Sequence, residues 1–511
     1  MQRSEKLSQD LQEFRARYGL VADLKQVAGV LSWDQQTYMP ARSAAARGQQ
    51  TATLMSLLHT KLTDRDYGQL LERLQDNADG LTAVQAAEVR EAKREYDLHT
   101  KLPASLVEEL GRSQAEGQQI WVEARQNNDF SKYLPALQRT ISLMRQQADH
   151  LGYEDHPYDA LHDQYEPGST AAQVKAVFGP LRDATTRLLD KIRNSSVRSS
   201  DSLLHGHWPA AAQEKFGSDI AARFGFDFSR GRLDPTVHPF AVGIGNSDVR
   251  ITTRYDEKFV SSALFSILHE AGHGIYEQGI PDGLQRTAVG DSVSLAVHES
   301  QSRMWENLIG RSDVFWQYAW PQFSEHFPEA LKGVDRAEFH RAINHVEPSL
   351  IRVEADEVTY NLHIMIRFEL ELALLEGSLD PSDLPQAWNG LYRDYLGITP
   401  ENDSVGCLQD VHWSAGLVGY FPTYSLGNLM SVQLLDAHRA VNPELDSQIL
   451  HGDFSQLLGW LRSNVHGHGS ILSPDELVRA ATGRSLEAAP YVSYLNRKYG
   501  ELYGFTPEGD N

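Results

Sequence analysis

Apolar residues recur at helical spacing from Leu7 through Leu11, Phe14 and Tyr18, and Val27, Leu31 and Trp33 continue the pattern until Pro40. The chain therefore opens with helix. From Thr51 to Leu151 it is rich in Leu, Ala, Glu, Gln and Arg, which predicts long antiparallel helices with breaks at Asn77 to Gly80 and at Pro103. That stretch reads as a solvated helical wall without chemistry of its own. Tyr165-Glu166-Pro167-Gly168 predicts a turn, a further helix runs to about Asn194, and Ser195 to Gly206 reads as a polar connection.

The period changes between Gly231 and Tyr255. Val237 to Val242 and Asp248 to Thr253 carry β-branched and aromatic residues, and Gly243-Ile244-Gly245-Asn246-Ser247 between them predicts a hairpin loop. An edge strand there could pair with an extended peptide. Helical patterns return from Phe259, over Val293 to Ile309, and over Arg341 to Leu375, the last carrying Arg352, Glu354 and Asp356. The C-terminal third continues as helix with loops around Gly397 to Gly406. No internal repeat or low-complexity tract interrupts it. The pattern predicts a mainly α protein with a small β element, forming one catalytic unit over 1–511. Its parts are an N-terminal helical wall over about 1–200, a hairpin and metal-site region over about 231–430, and C-terminal helices over about 431–511.

The chemistry concentrates at Leu268-His269-Glu270-Ala271-Gly272-His273-Gly274, a His-Glu-x-x-His pattern behind an apolar helical lead-in from Phe259. Residues four apart lie one turn above each other on a helix, so His269 and His273 can reach one metal ion, with Glu270 beside them as the general-base candidate. Gly272 and Gly274 each cost about 1 kcal/mol relative to Ala inside a helix. A helix approached closely by a metal site or substrate has a use for them.

A catalytic zinc needs three protein ligands and an open position. A third His at position 279 is excluded because Gly279 stands there. The other common solution is a Glu from a following helix: Glu299 fits, with Asp291 and Glu306 as competitors.

Composition narrows the rest. With 47 basic against 69 acidic residues, the net charge of −22 argues against nucleic acid or an anionic membrane as partner. The start, Met1-Gln2-Arg3-Ser4-Glu5-Lys6, has no apolar core behind its charges, and no apolar run approaches membrane-spanning length, so the expected compartment is cytoplasmic. Cys407 is the single cysteine, which excludes a thiolate metal cluster and an intrachain disulfide.

Six motifs together resemble one family: His238-Pro239-Phe240; Asp248-x-Arg250-x-Thr252; His269-Glu270-x-x-His273; His298-Glu299-Ser300-Gln301; Ile351-Arg352-x-x-Ala355-Asp356; and Gly406-x-x-Gln409-Asp410-x-His412-Trp413. They resemble the thermostable metallocarboxypeptidases of the carboxypeptidase Taq family. Trp33 to Pro40 and Arg497 to Tyr503 extend the likeness over almost the full chain. The resemblance implies a large helical zinc-peptidase fold with a deep active-site groove and a small β-sheet beside the metal helix. It also implies a homodimer, and zinc or sometimes cobalt on His269, His273 and Glu299. The implied reaction removes single residues from peptide C-termini with broad specificity. His238 resembles a site residue of the family, and Asp248 and Gln409 belong to motifs that imply substrate contacts.

A carboxypeptidase must recognise a free C-terminal carboxylate, for which the guanidinium fork of Arg352, or failing that Arg250, is the natural partner. For an Arg not yet placed, a structural ion pair with Glu354 or Asp356 competes with that role. Asp356 could instead orient a ligand imidazole. His412, with Tyr420 or Tyr424, could donate to the oxyanion of the tetrahedral intermediate. An oligoendopeptidase or dipeptidase on the same scaffold, and a non-catalytic helical binding protein, are the alternatives that these motifs leave open.

Overall fold

The computed structural model describes residues 2–506. Helices dominate, and the chain gathers into two compact units, each built from three stretches: Met1–Thr100, Asp201–Ile343 and Leu434–Ser485 in the first, and Lys101–Ser200, Asn344–Gln433 and Leu486–Asn511 in the second. The first two crossings fall where the sequence is punctuated, just before Pro103 and inside the polar connection from Ser195 to Gly206. Among the described residues no helix is long and apolar enough to cross a membrane.

In the first unit the opening helix, Gln2–Gln36, runs almost the whole length of the apolar pattern that ends at Pro40. Its Phe14, Tyr18 and Val21 pack with Leu58 and Leu62 of Ala44–Leu62, with Tyr67, Leu70, Leu71 and Leu74 of Arg65–Gln75, and with Val89 and Ala92 of Ala83–Thr100. The predicted break at Asn77 to Gly80 is a 3₁₀ turn. Asp64 starts the third of these helices by accepting the Tyr67 N–H.

The β element is larger than the sequence predicts. Strands β1 (Gly231–Pro235), β2 (Ala241–Gly243) and β3 (Val249–Thr253) form a sheet in the order β1-β3-β2. The β2–β3 hairpin is the predicted one, shortened at its first strand, and Ile244 and Asp248 close its loop. β1 runs parallel to β3, from Gly231 opposite Val249 to Pro235 opposite Thr253. Gly, Asp and Pro are poor strand formers, so β1 leaves no propensity signal, and Pro235 is tolerated because β1 is an edge.

β3 leads into the helix Val260–Gly279, whose Val260, Ala263, Leu264, Phe265, Ile267, Leu268, Ala271, Ile275 and Tyr276 are buried. Half-buried Ser262, Ser266, His269, His273 and Glu277 recur at helical spacing along one side, and the rest of the helix lies in the core. Ser294 caps the following helix, Leu295–Arg303, which passes directly into a π-helical turn, Met304–Ile309. The two helices meet at Gly272: a Cβ there would stand 2.6 Å from the Gln301 carbonyl oxygen and from Ser302 Cα. At Gly274 it would meet the Phe226 ring at 2.5 Å and Ile251 at 3.1 Å. The space at both glycines is filled by the protein itself, which replaces the expectation that they make room for substrate.

In the second unit Asn128, left-handed at φ 53°, turns Ala104–Asn127 back into Phe130–Leu151. The helix predicted from Arg341 to Leu375 is interrupted. Arg336–Ile343 ends, the chain is non-helical to Thr359 apart from a single 3₁₀ turn at Arg352–Glu354, and Tyr360–Glu376 then begins. Pro348 lacks the N–H a helix needs and disfavours helical backbone in the residue before it. Arg352 therefore sits on a turn, where side-chain periodicity does not govern its direction.

Gly272→Ala is expected to destabilise the first unit by about 1–3 kcal/mol through overpacking. Gly48→Ala, in a helix position with open space around it, should be neutral or stabilising by up to about 1 kcal/mol. Urea unfolding of both variants checks this; equal effects would contradict the packing account.

Candidate functional site

Three donor atoms converge in the first unit. His269 Nε2 and His273 Nε2 are 3.2 Å apart, and Glu299 Oε2 stands 3.7 Å from the first and 3.6 Å from the second. One tetrahedral ion with bonds of about 2.0–2.2 Å holds its ligands about 3.3–3.6 Å apart, and each side of this triangle is within about 0.1 Å of that range. The donor set, two imidazoles and a carboxylate, suits a borderline divalent metal. The residues fit the ion that the motif calls for, and Glu299 is the carboxylate in the group. Neither competitor supplies a donor atom.

Glu306 is engaged differently. Its Oε2 lies 2.8 Å from His269 Nδ1, the nitrogen turned away from the triangle. The π-helical turn delivers it there; such turns are frequent at functional sites. Arg303 binds both carboxylates, 2.7 Å from Glu299 Oε1 and 3.1 Å from Glu306 Oε2, and the Arg311 guanidinium lies 3.7 Å from Glu306. Burial opposes the charge on Glu306, but Arg303 and His269 pull its pKa down to about 2. An ionised carboxylate there fixes the proton of His269 on Nδ1 and leaves Nε2 as the donor. Glu306 thus takes the orienting role considered for Asp356. Asp356 instead accepts from the Val358 and Thr359 backbone N–H groups and the Thr359 hydroxyl, starting the helix Tyr360–Glu376.

Burial, with the imidazoles of His298 and His269 beside it, holds the pKa of His273 well below the usual range, so it is the neutral form a metal binds. Burial also lowers that of His269, but Glu299 and Glu306 outweigh it and raise the value. A site that attracts a proton to His269 attracts a cation in its place. Glu270, buried in the same helix, has its carboxyl pushed up to about 7, chiefly by desolvation.

A family model for carboxypeptidase Taq (M32) metallopeptidases matches residues 13–499. The chain belongs to that family. Thermostable carboxypeptidase 1 of Thermus thermophilus is 44% identical over 97% of this chain and 99% of its own length. The crystal structure of the M32 carboxypeptidase from Deinococcus radiodurans superposes with a TM-score of 0.95 at 42% identity, covering 97% of this chain and all (100%) of that one. A Pyrococcus furiosus carboxypeptidase structure gives 0.93 at 35% identity, covering 96% and 99%. This chain is accordingly a metallocarboxypeptidase, a hydrolase of peptide bonds with a divalent metal, and the endopeptidase and scaffold alternatives fall away.

The remaining predicted residues of this M32 carboxypeptidase fall into two groups. Beside the metal helix, Arg250 forms a two-pronged pair with Asp248 at 2.9 and 2.8 Å and stacks over Trp33 at 4.2 Å, so its fork is already occupied. His238 is exposed between β1 and β2.

The second unit holds the other group. Arg352 pairs with Asp410, through Nε at 3.0 Å and Nη2 at 2.9 Å, and its Nη1 donates to the Tyr360 hydroxyl. Its ion-pair partner is thus Asp410, and neither Glu354 nor Asp356. Arg367 takes the other oxygen of Asp410 at 2.7 Å. Two guanidiniums share one carboxylate, which holds the Asp410 pKa far below its ordinary value despite burial. Gln409 accepts from the Arg352 backbone N–H and donates to the Leu350 and Val405 carbonyls, so its amide is spent on the fold. His412 Nε2 faces the Tyr424 hydroxyl at 3.4 Å, and burial pushes its pKa down to about 4, so it is neutral at pH 7. The Tyr420 ring lies 5.6 Å from the His412 ring.

Sequence reasoning missed Arg303, four residues after Glu299 on one helix face, a spacing that could have revealed it. It also missed Arg367 and Glu371, whose partners are distant in sequence. Glu371 is buried and accepts from the Trp413 indole at 2.9 Å, the Tyr158 hydroxyl at 2.9 Å and the Gly419 N–H at 3.2 Å. It ties down both ends of the loop that carries His412. Glu371→Ala should raise amide hydrogen exchange over residues 411–419 at least tenfold, since three buried donors lose their acceptor; unchanged exchange would contradict the tie.

Proposed function

We propose that this metallocarboxypeptidase releases one amino acid at a time from peptide C-termini, with broad side-chain tolerance. In this reading it carries one Zn²⁺ per chain on His269, His273 and Glu299, a site that Co²⁺ also suits. The observation that carries the reading is the triangle of 3.2, 3.6 and 3.7 Å with Glu270 in the same helix. Bound by His269, His273 and Glu299, a divalent ion would supply Lewis acidity for the scissile carbonyl and for a water nucleophile near neutral pH. Glu270 takes the proton of the attacking water and returns it to the leaving nitrogen as the C–N bond breaks. The products are a shortened peptide and a free amino acid.

Arg352 receives the terminal carboxylate of the peptide. Its support is charge: Arg352 and Arg367 outnumber the single Asp410 between them, so the cluster is electropositive. Arg250, already matched by Asp248, is the weaker claimant and serves with Asp248 and His238 as flanking structure for the substrate. His412, neutral and beside Tyr424, donates to the developing oxyanion, and Tyr420 is the alternative hydroxyl. The protein acts as a cytoplasmic homodimer.

Glu270→Gln should keep one metal per chain while kcat falls by about 10²–10⁴; near-normal hydrolysis would rule out the general base. Arg352→Ala should raise KM for free-acid peptides at least tenfold and leave C-terminally amidated peptides unaffected. Equal effects on both would remove Arg352 from recognition. Mass spectrometry of a long peptide should show a ladder of single C-terminal losses that chelation abolishes, and internal fragments would contradict the exopeptidase reading.

A further inference from the structure

The Nδ1 atoms of the two ligand imidazoles meet different partners. His269 meets a carboxylate, Glu306. His273 meets another imidazole: its Nδ1 lies 2.5 Å from His298 Nδ1, and His298 Nε2 lies 2.7 Å from Glu277 Oε1. Both links come from the helices that build the triangle, because Glu277 is one turn beyond His273 and His298 immediately precedes Glu299.

Only one arrangement of protons satisfies this chain while His273 Nε2 faces a cation. A neutral His273 with Nε2 free carries its proton on Nδ1 and donates it to His298 Nδ1. His298 then carries its own proton on Nε2 and donates it to Glu277. Every ring nitrogen is used once, and the chain ends on an anion that can only accept. Glu277 Oε2 occupies a slot that exists because β2 ends in glycine: a Cβ on Gly243 would stand 2.7 Å from that oxygen and 3.1 Å from the Glu277 Cδ.

We propose that Glu277 and His298 are positioning residues for the metal site, setting the tautomer and ring orientation of His273 through a two-step hydrogen-bond chain. Gly243 keeps the space in which the terminal carboxylate sits. This rests on His273 being a metal ligand. It explains why the strand beside the metal helix has a glycine facing that helix, and why the residue before Glu299 is a histidine.

The test measures Zn²⁺ affinity of the whole protein by competition with a chromophoric chelator, alongside the visible spectrum of the Co²⁺ form and the thermal midpoint of the metal-free protein. Glu277→Leu and His298→Phe should weaken Zn²⁺ binding about 10–100-fold and shift the Co²⁺ bands, the usual scale for losing an outer hydrogen bond to a ligand imidazole. Glu277→Gln, which retains an acceptor for His298, should fall between those variants and the parent. Gly243→Ala touches neither histidine, yet should weaken binding by displacing the Glu277 carboxylate, and it carries the test with Glu277→Gln if the larger changes prevent folding. Zn²⁺ affinity within twofold of the parent in the folded Glu277 and Gly243 variants, with unshifted Co²⁺ bands, would overturn the proposal. His273→Ala separates the two claims: if it keeps full Zn²⁺ affinity, the metal-ligand reading itself fails.

Discussion

Two buried helices must lie close enough for one carboxylate oxygen and two imidazole nitrogens to share a single ion, and the centre is arranged around that distance. Gly272 makes the approach possible, because any side chain there would run into the backbone at Gln301 and Ser302. The close packing of the two helices, rather than the connection between Gly279 and Leu295, holds Glu299 near His269 and His273. A wider spacing would leave three donors too far apart for one small cation. The apolar faces of Val260–Gly279 pack the rest of the helix into the core and remove the freedom to slide.

The same closeness brings charges together in a dry place. Glu299 and Glu306 are both buried, and Arg303 at the end of the helix and Arg311 just after the π-turn accompany them. Buried charges of this kind persist when they are paired and hydrogen-bonded. The arginines bind the outward carboxylate atoms, leaving Glu299 Oε2 and both Nε2 atoms directed inward. A divalent cation would complete that balance of charge. The second unit solves a related problem with opposite sign: Arg352 and Arg367 are held around Asp410, and Glu371 secures the loop beyond it.

What the sequence revealed followed the range of the interaction. His269 and His273 are legible as a pair because helical spacing alone brings them to one face, and Glu299 was legible only as one of three carboxylates that could join them. The β2–β3 hairpin was legible from its glycine-rich loop. β1 was not, since its pairing is parallel and its residues have little strand propensity. The neighbours of Arg352 keep a helical period that Pro348 breaks in the structure. Glu306 competes as a ligand in the sequence because no local pattern records which side of an imidazole a carboxylate meets. The Asp410 pairings and the Glu371 tie join residues about 40 to more than 200 positions apart, and no local pattern records them.

The central claim is the identity of the atoms around the ion. X-ray absorption at the zinc edge of the Zn²⁺-loaded protein tests it most directly. The expected first shell is four-coordinate nitrogen and oxygen at about 2.0–2.2 Å, with outer-shell scattering from two imidazoles. A sulfur scatterer at about 2.3 Å, or scattering that requires three imidazoles or none, would contradict it.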